Sequence, residues 1–295
     1  MIKQPETRPI SQEQLVADVK GIYAGLFMVE SKCIEVDSMQ KAQQDTTGNK
    51  LNNEQWQALI ALHRTLLHEH HDFFLASQHP SASAPLRRLA SKYAMPARIW
   101  RHGIHSFLEL LRARLPASRE HMLSFIYLAY SMMALLYETV PTFEDTWIEC
   151  LGDLGRYRMA IEDDDMKDRE VWTAMARHWY AKASDKSPTT GRLYHHLAIL
   201  ARPNAVQQLF YYAKSLCVHV PCDPAHTSVM ALFGDLMASQ SRQGNLAPAE
   251  LHFVRAHATL FANGLSRDLD PSIHAFEATL DSYIARTARN FNESG

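Results

Sequence analysis

Between Leu15 and Val36 the apolar residues Leu15, Val19, Ile22, Leu26, Val29, Cys33 and Val36 return at steps of four and three, drawing one seam along a single long helix. A helix with one apolar stripe is not stable alone in water, so this feature commits the chain to a fold of packed helices that cover the stripe. Similar spacing recurs through Trp56, Leu59, Leu62, Leu66 and Leu67, and again through Ile99, Trp100, Ile104, Phe107, Leu108 and Leu111. With only 11 Gly and 13 Pro in 295 residues, turn formers are too few for a fold of many short strands. The expected fold class is all-α.

Punctuation marks the helix ends. The stretch QHPSASAP at 78–85 reads as a loop, and Pro96 suits the first position of the next helix, where its missing N–H costs nothing. Pro116 and Pro141 bracket the uncharged run Met122 to Tyr137, sixteen residues long, which is short of a membrane span and reads as a central helix buried on nearly every side. Thr142 to about Ile161 forms another helix. The start MIKQPETRP lacks the apolar core of a signal peptide, and Cys33, Cys150, Cys217 and Cys222 show no CxxC spacing. These features point to a soluble protein of a reducing compartment, cytoplasmic or nuclear, with no membrane partner.

Beyond the acidic run Glu162 to Asp165 the organisation changes. Tyr180-Ala181-Lys182 recurs as Tyr212-Ala213-Lys214, and Pro188 recurs as Pro221, at offsets of 32 and 33. A period near 34 with small residues at helix crossings and a terminal proline is the tetratricopeptide pattern, which Ala176, Tyr180, Ala183 and Pro188 follow. Two more helices, about 247–262 and 271–290, would cap the open end of this array. The expected division is a helical half at 1–162 and a tetratricopeptide-like half at 163–295.

The formal charge of −2 gives no whole-molecule attraction for nucleic acid, so position matters more than total. Between Arg87 and Arg119 eight Lys and Arg face one acid, Glu109, a local charge of +7. Arg101, His105, Leu108 and Arg112 fall at i, i+4, i+7 and i+11, nominating one helical face with three cations. Guanidinium groups suit phosphate through charge-assisted hydrogen bonds. A second basic stretch, Arg156-Tyr157-Arg158, adds cations and a phenol. The alternatives are a nucleic-acid module using the 87–119 segment, and a helical protein–protein scaffold. His68, His71 and Asp72 share a face but lack the HExxH order, so neither metal nor cofactor is expected. No Gly-rich phosphate loop, nucleophile elbow or paired carboxylate outside the acidic run is present, so the reading is binding without catalysis. The acidic run itself reads as a solvated connector, or else as a built-in phosphate mimic near Arg156.

Five stretches together carry a resemblance: IWRH at 99–102, LGDLGRYR at 151–158, GRLYHHLAILA at 191–201, LFYYAKSLCVHVP at 209–221 and FVRAHATLF at 253–261. They resemble the SMG and Ever-shorter-telomeres family of nonsense-mediated mRNA decay and telomerase-associated adaptors, in its fungal version. The resemblance implies a 14-3-3-like helical bundle continuing into tetratricopeptide-like helix pairs as an α-α superhelix. It further implies a groove for a phosphorylated Ser or Thr in an extended protein segment, such as one from an RNA helicase of the decay pathway, with RNA or DNA as a further partner. Arg156 and Tyr157 match the Arg-Tyr pair of such pockets. His105 stands where the family has its phosphate-binding lysine, a departure, and Arg112 matches the arginine two turns later. With Arg101, these form the expected phosphate and peptide site.

Overall fold

A computed structural model describes residues 10–47, 51–238, 246–261 and 269–293. Eleven α-helices of seven or more residues dominate the described residues: α1 Gln12–Thr47, α2 Asn53–Ser77, α3 Ser106–Arg112, α4 Arg119–Thr139, α5 Glu144–Ala160, α6 Met166–Lys186, α7 Gly191–Leu200, α8 Ala205–Cys217, α9 Pro224–Ala238, α10 Pro248–Phe261 and α11 Leu269–Glu293. Among the described residues there is no β-strand beyond one isolated bridge, Thr190 to Val220. The chain divides at Trp179/Tyr180, within α6, into two compact units. The break at 162/163 lies in the short connector between α5 and α6.

In the first unit, α1 packs along α2, and α4 packs on both α2 and α5. Asn52 caps α2: its side chain accepts from the Gln55 amide at 2.8 Å, while the Gln55 side chain accepts from the Asn52 amide at 2.9 Å. Leu15, Val19, Leu26 and Cys33 of the seam are buried, but Glu30 and Asp37 are buried beside them. Both acids are satisfied from the 98–106 region. Arg98 forms a two-pronged ion pair with Glu30, and Ser106 donates to Asp37 Oδ2 at 2.6 Å. Burial, then the charges of Asp37 and Glu30, push the Cys33 thiol up to about 12.

Helix α4 departs from the expectation of burial on nearly every side. Met122, Phe125, Ile126, Ala129, Met132, Met133 and Leu136 are in the core, while Tyr127, Ser131 and Leu135 form an exposed stripe at steps of four. It has 21 residues, and an 18-residue stretch of it has a mean hydropathy of 1.2, so it is long and apolar enough to cross a membrane by composition, yet its inward face is part of the core of this unit. Trp147 on α5 is fully buried and donates its indole N–H to the Val140 carbonyl at 3.0 Å. The first part of α6 belongs to this unit: Ala176 abuts Gly155, where a Cβ would lie 3.2 Å from the alanine methyl, and Trp179 donates to the Tyr130 hydroxyl at 2.9 Å.

In the second unit α7 packs on α8, and α10 on α11. The recurrence of Tyr180 as Tyr212 has a packing cause. Both rings are buried; Tyr180 stacks on His196 with centroids 4.8 Å apart, and Tyr212 lies 5.8 Å from His195. Gly191 opens α7 against the end of α8. Its amide donates to the Val220 carbonyl at 2.8 Å and its carbonyl accepts from Ser215 Oγ at 2.7 Å. A Cβ there would sit 2.8 Å from the Cys222 nitrogen and the Val220 oxygen, and closer still to the Ser215 carbonyl, so only glycine fits. A core of Leu209, Tyr212, Val229, Phe233 and Val254 joins α8, α9 and α10.

Candidate functional site

The segment Ile99–His105 is π-helical and runs directly into α3; the Ser106 amide donates to the Arg101 carbonyl, five residues back. The wide turn sets Gly103 against α2. Its carbonyl accepts from His63 Nδ1 at 3.0 Å, and a Cβ on it would lie 3.0 Å from Leu67. His63 is itself fully buried, with Nε2 3.3 Å from Asp37. On the core side Ile99, Ile104, Phe107, Leu108 and Leu111 are buried. Leu108 therefore does not share a solvent face with Arg101, His105 and Arg112, which are exposed.

What stands on the outer side of this segment meets α5. Leu151, Leu154 and Tyr157 recur at three-residue steps on the buried face of α5, so Tyr157 reaches towards α3 with its ring largely covered. Its hydroxyl donates to Glu109 Oε1 at 2.6 Å. The other oxygen, Oε2, accepts from the Arg112 guanidinium at 2.6 Å. The His105 ring lies edge-on to Tyr157 with centroids 6.4 Å apart, and Arg156 stacks over the same phenol at 5.5 Å. His105, Arg112 and Tyr157 thus stand about one carboxylate, and Arg156 lies over the Tyr157 ring, so four of the five nominated residues share one neighbourhood. Arg101 stands exposed on the π-helical turn, and no contact joins it to them among the described residues.

Two guanidinium groups are matched here by two carboxylates, since Arg156 pairs with Asp153 at 3.1 Å as Arg112 does with Glu109. Burial pushes the Glu109 carboxyl up, but the Tyr157 hydrogen bond and the Arg112 charge more than offset it and hold the group below the usual carboxylate range. Burial and then Glu109 push the Tyr157 phenol well above its ordinary value, so it remains a hydrogen-bond donor. Glu109 was visible in the sequence only as the lone acid of a basic segment. The signal that could have nominated it is its place one turn after His105 and one turn before Arg112.

The basic segment is not a continuous strip. Arg98 is spent on Glu30, Arg114 donates to the Gln40 side chain and carbonyl at 3.0 and 2.9 Å, and Arg119 pairs with Glu162 and Asp164. Arg88, Lys92 and Arg101 are exposed. The acidic run is occupied as well. Glu162 and Asp168 hold the buried Arg158, and Asp163 faces Arg169, so these acids serve a local network and do not contact Arg156 in any described bond. Among the described residues no group of three His, Cys, Asp or Glu is placed to hold a metal ion; His71 instead lies 3.5 Å from Asp72.

In the second unit a cavity of about 560 Å³ opens between the start of α8, α9 and the start of α10, lined by Asn204, Gln208, Ser228, Leu232, Asp235 and Glu250 among others. Residues 176–289, which include this region, match the Est1 DNA/RNA binding domain. Over this part the chain is similar to Est1 proteins. It is 26% identical over 144 residues to EST/SMG-like protein 2 of Saccharomyces cerevisiae, covering 48% of this chain and 12% of that protein. It is 35% identical over 86 residues to telomerase-binding protein EST1A of Danio rerio, covering 28% of this chain and 5% of that protein. The matches thus span a small part of these relatives' own length. The Est1 match begins at Ala176, the first residue of the Ala176, Tyr180, Ala183, Pro188 pattern, and so coincides with the repeat-like helices and not with the basic 87–119 segment.

Proposed function

We propose that this chain is a non-enzymatic adaptor region of the telomere and RNA-surveillance type, working in the nucleus or cytoplasm, whose first unit takes a phosphorylated Ser or Thr of a partner protein. The observation that carries the reading is the aim of donors from two distant helices. Arg112 on α3 and Tyr157 on α5 converge on a single carboxylate, with His105 and Arg156 beside the phenol. Donors arranged around one acceptor make an oxyanion site, and phosphate brings up to two charges and three acceptor oxygens to it. The partner is a phosphorylated segment such as that of a decay-pathway helicase.

The test is titration with matched phosphorylated and unphosphorylated peptides. The phosphorylated form is expected to bind more tightly, and Arg156→Ala or Arg112→Ala to weaken it by about tenfold or more, since a hydrogen bond to a charged group contributes about 1.5–3 kcal/mol. Equal affinities for the two peptides overturn the reading.

A second reading concerns the other unit and is supported by the Est1 match: contact between residues 176–289 and single-stranded DNA or RNA. Over 180–295 ten Lys and Arg stand against nine Asp and Glu, so attraction must come from local placement and remain salt-sensitive. A labelled oligonucleotide that stays free at the lowest salt tested removes this reading and leaves the first untouched.

A further inference from the structure

The phosphate reading leaves one member of the cluster without a part, and the following rests on that reading. We propose that Glu109 is a built-in competitor of the pocket, an internal carboxylate that occupies the Arg112 and Tyr157 donors until a phosphate displaces it.

Three features of the site support this role. Glu109 uses both of its oxygens, one for the Tyr157 hydroxyl and one for the Arg112 guanidinium, each at 2.6 Å, which is the arrangement an incoming anion would need for itself. The pair is accessible: the Arg112 side chain is 61% exposed and that of Glu109 28%, so water can solvate the carboxylate once it turns away. Glu109 also lies on α3 one turn from both His105 and Arg112, so its charge stays close to any ligand after it has turned away.

The consequence is a threshold. Displacing Glu109 costs the same whatever the incoming anion, so it lowers every affinity alike and does not reorder them. A peptide carboxylate offers the donors only what Glu109 already gives, and it loses translational freedom besides. A dianionic phosphate offers more charge and a third acceptor, and so clears the same cost. The pocket then stays closed to the acidic side chains that any protein surface presents.

The test uses the whole chain with N-acetyl-phosphoserine amide, N-acetyl-glutamate amide and N-acetyl-serine amide as probes, followed by NMR titration. Relative to the unaltered chain, Glu109→Gln is expected to bind the phosphoserine probe about tenfold more tightly, the order expected for one nearby like charge in a partly solvated site, and to make the glutamate probe's binding detectable. Glu138→Gln, which removes an equal charge from an exposed position on α4, is expected to change neither. Unchanged or weaker phosphoserine binding in Glu109→Gln, with the unaltered chain still preferring phosphoserine to serine, overturns the competitor role while leaving the phosphate site standing. An equal gain in Glu138→Gln also overturns it, by assigning the effect to net charge. No preference for phosphoserine over serine in either Glu109 form overturns the phosphate reading and this inference together.

Discussion

Acid should loosen the first unit through a single imidazole. His70 on α2 is fully buried; its Nδ1 donates to the Leu66 carbonyl at 3.0 Å, and its Nε2 is buried with no partner. Protonation would place a charge at that Nε2 with nothing to receive its hydrogen. Burial is the main cause that lowers this group from 6.5 to about 4; the Leu66 bond and Glu30 work the other way, and Arg98 and His102 add to the lowering. Above the unfolded value both states are neutral and the contribution is intact. As pH falls through the window from 6.5 towards 4 only the unfolded chain takes the proton, so stability is lost, and below the folded value the loss is complete. At 1.36 kcal/mol per pH unit the full loss is about 3 kcal/mol, of which about 2 kcal/mol falls between about pH 7 and pH 5. All five tryptophans, Trp56, Trp100, Trp147, Trp172 and Trp179, lie before residue 180, so tryptophan emission in urea titrations follows this unit selectively. His70→Gln keeps a donor for Leu66 and cannot titrate. The difference between parent and variant isolates His70 from the chain's fifteen other histidines. A variant whose stability falls as steeply with acid as the parent's would refute the reasoning.

Arg98→Ala strands the Glu30 carboxylate, whose side chain is 7% exposed, and is expected to cost about 3 kcal/mol in the same urea assay; Arg98→Lys should recover part of it. Gly191→Ala forces a methyl into the Ser215, Val220 and Cys222 backbone and is expected to cost about 2 kcal/mol or more. Since residues 180–295 contain no tryptophan, circular dichroism and not emission should record that loss.

Helices were legible because their signals are local. Three-and-four spacing, Pro96 and Pro141 lie within a turn or two of the structure they specify. The π-helical turn at Ile99–His105 was not, because IWRHGIH is as apolar-periodic as any α-helix and what distinguishes it is tertiary: His63, forty residues away, bonding to Gly103. Glu30 and Asp37 were equally hidden, since a periodicity reading sends acids to the surface and their partners Arg98 and Ser106 are 68 and 69 residues distant. The +7 sum misled for the same reason. It counted Arg98, Arg114 and Arg119 as available, while Glu30, Gln40 and Glu162 take them from elsewhere in the chain. The grouping of His105, Arg112, Arg156 and Tyr157 came into view through family resemblance, and the acid at its centre through the coordinates alone.

Where arginine meets carboxylate beside an aromatic ring in the first unit, accessibility separates scaffold from candidate site. Arg158 is held by Glu162 and Asp168 and lies over Trp172, but its side chain and that of Glu162 are only 6% and 7% exposed. Taking either partner away there would leave a buried charge, so the acids belong to the fold and cannot yield to a ligand. Arg112 and Glu109, at 61% and 28%, face water that can solvate each when they part. The same chemistry is therefore permanent in one place and exchangeable in the other. LGDLGRYR supplies both, because successive helical positions point to different sides of α5: Arg156 and Tyr157 reach the exchangeable cluster, and Arg158 enters the permanent one.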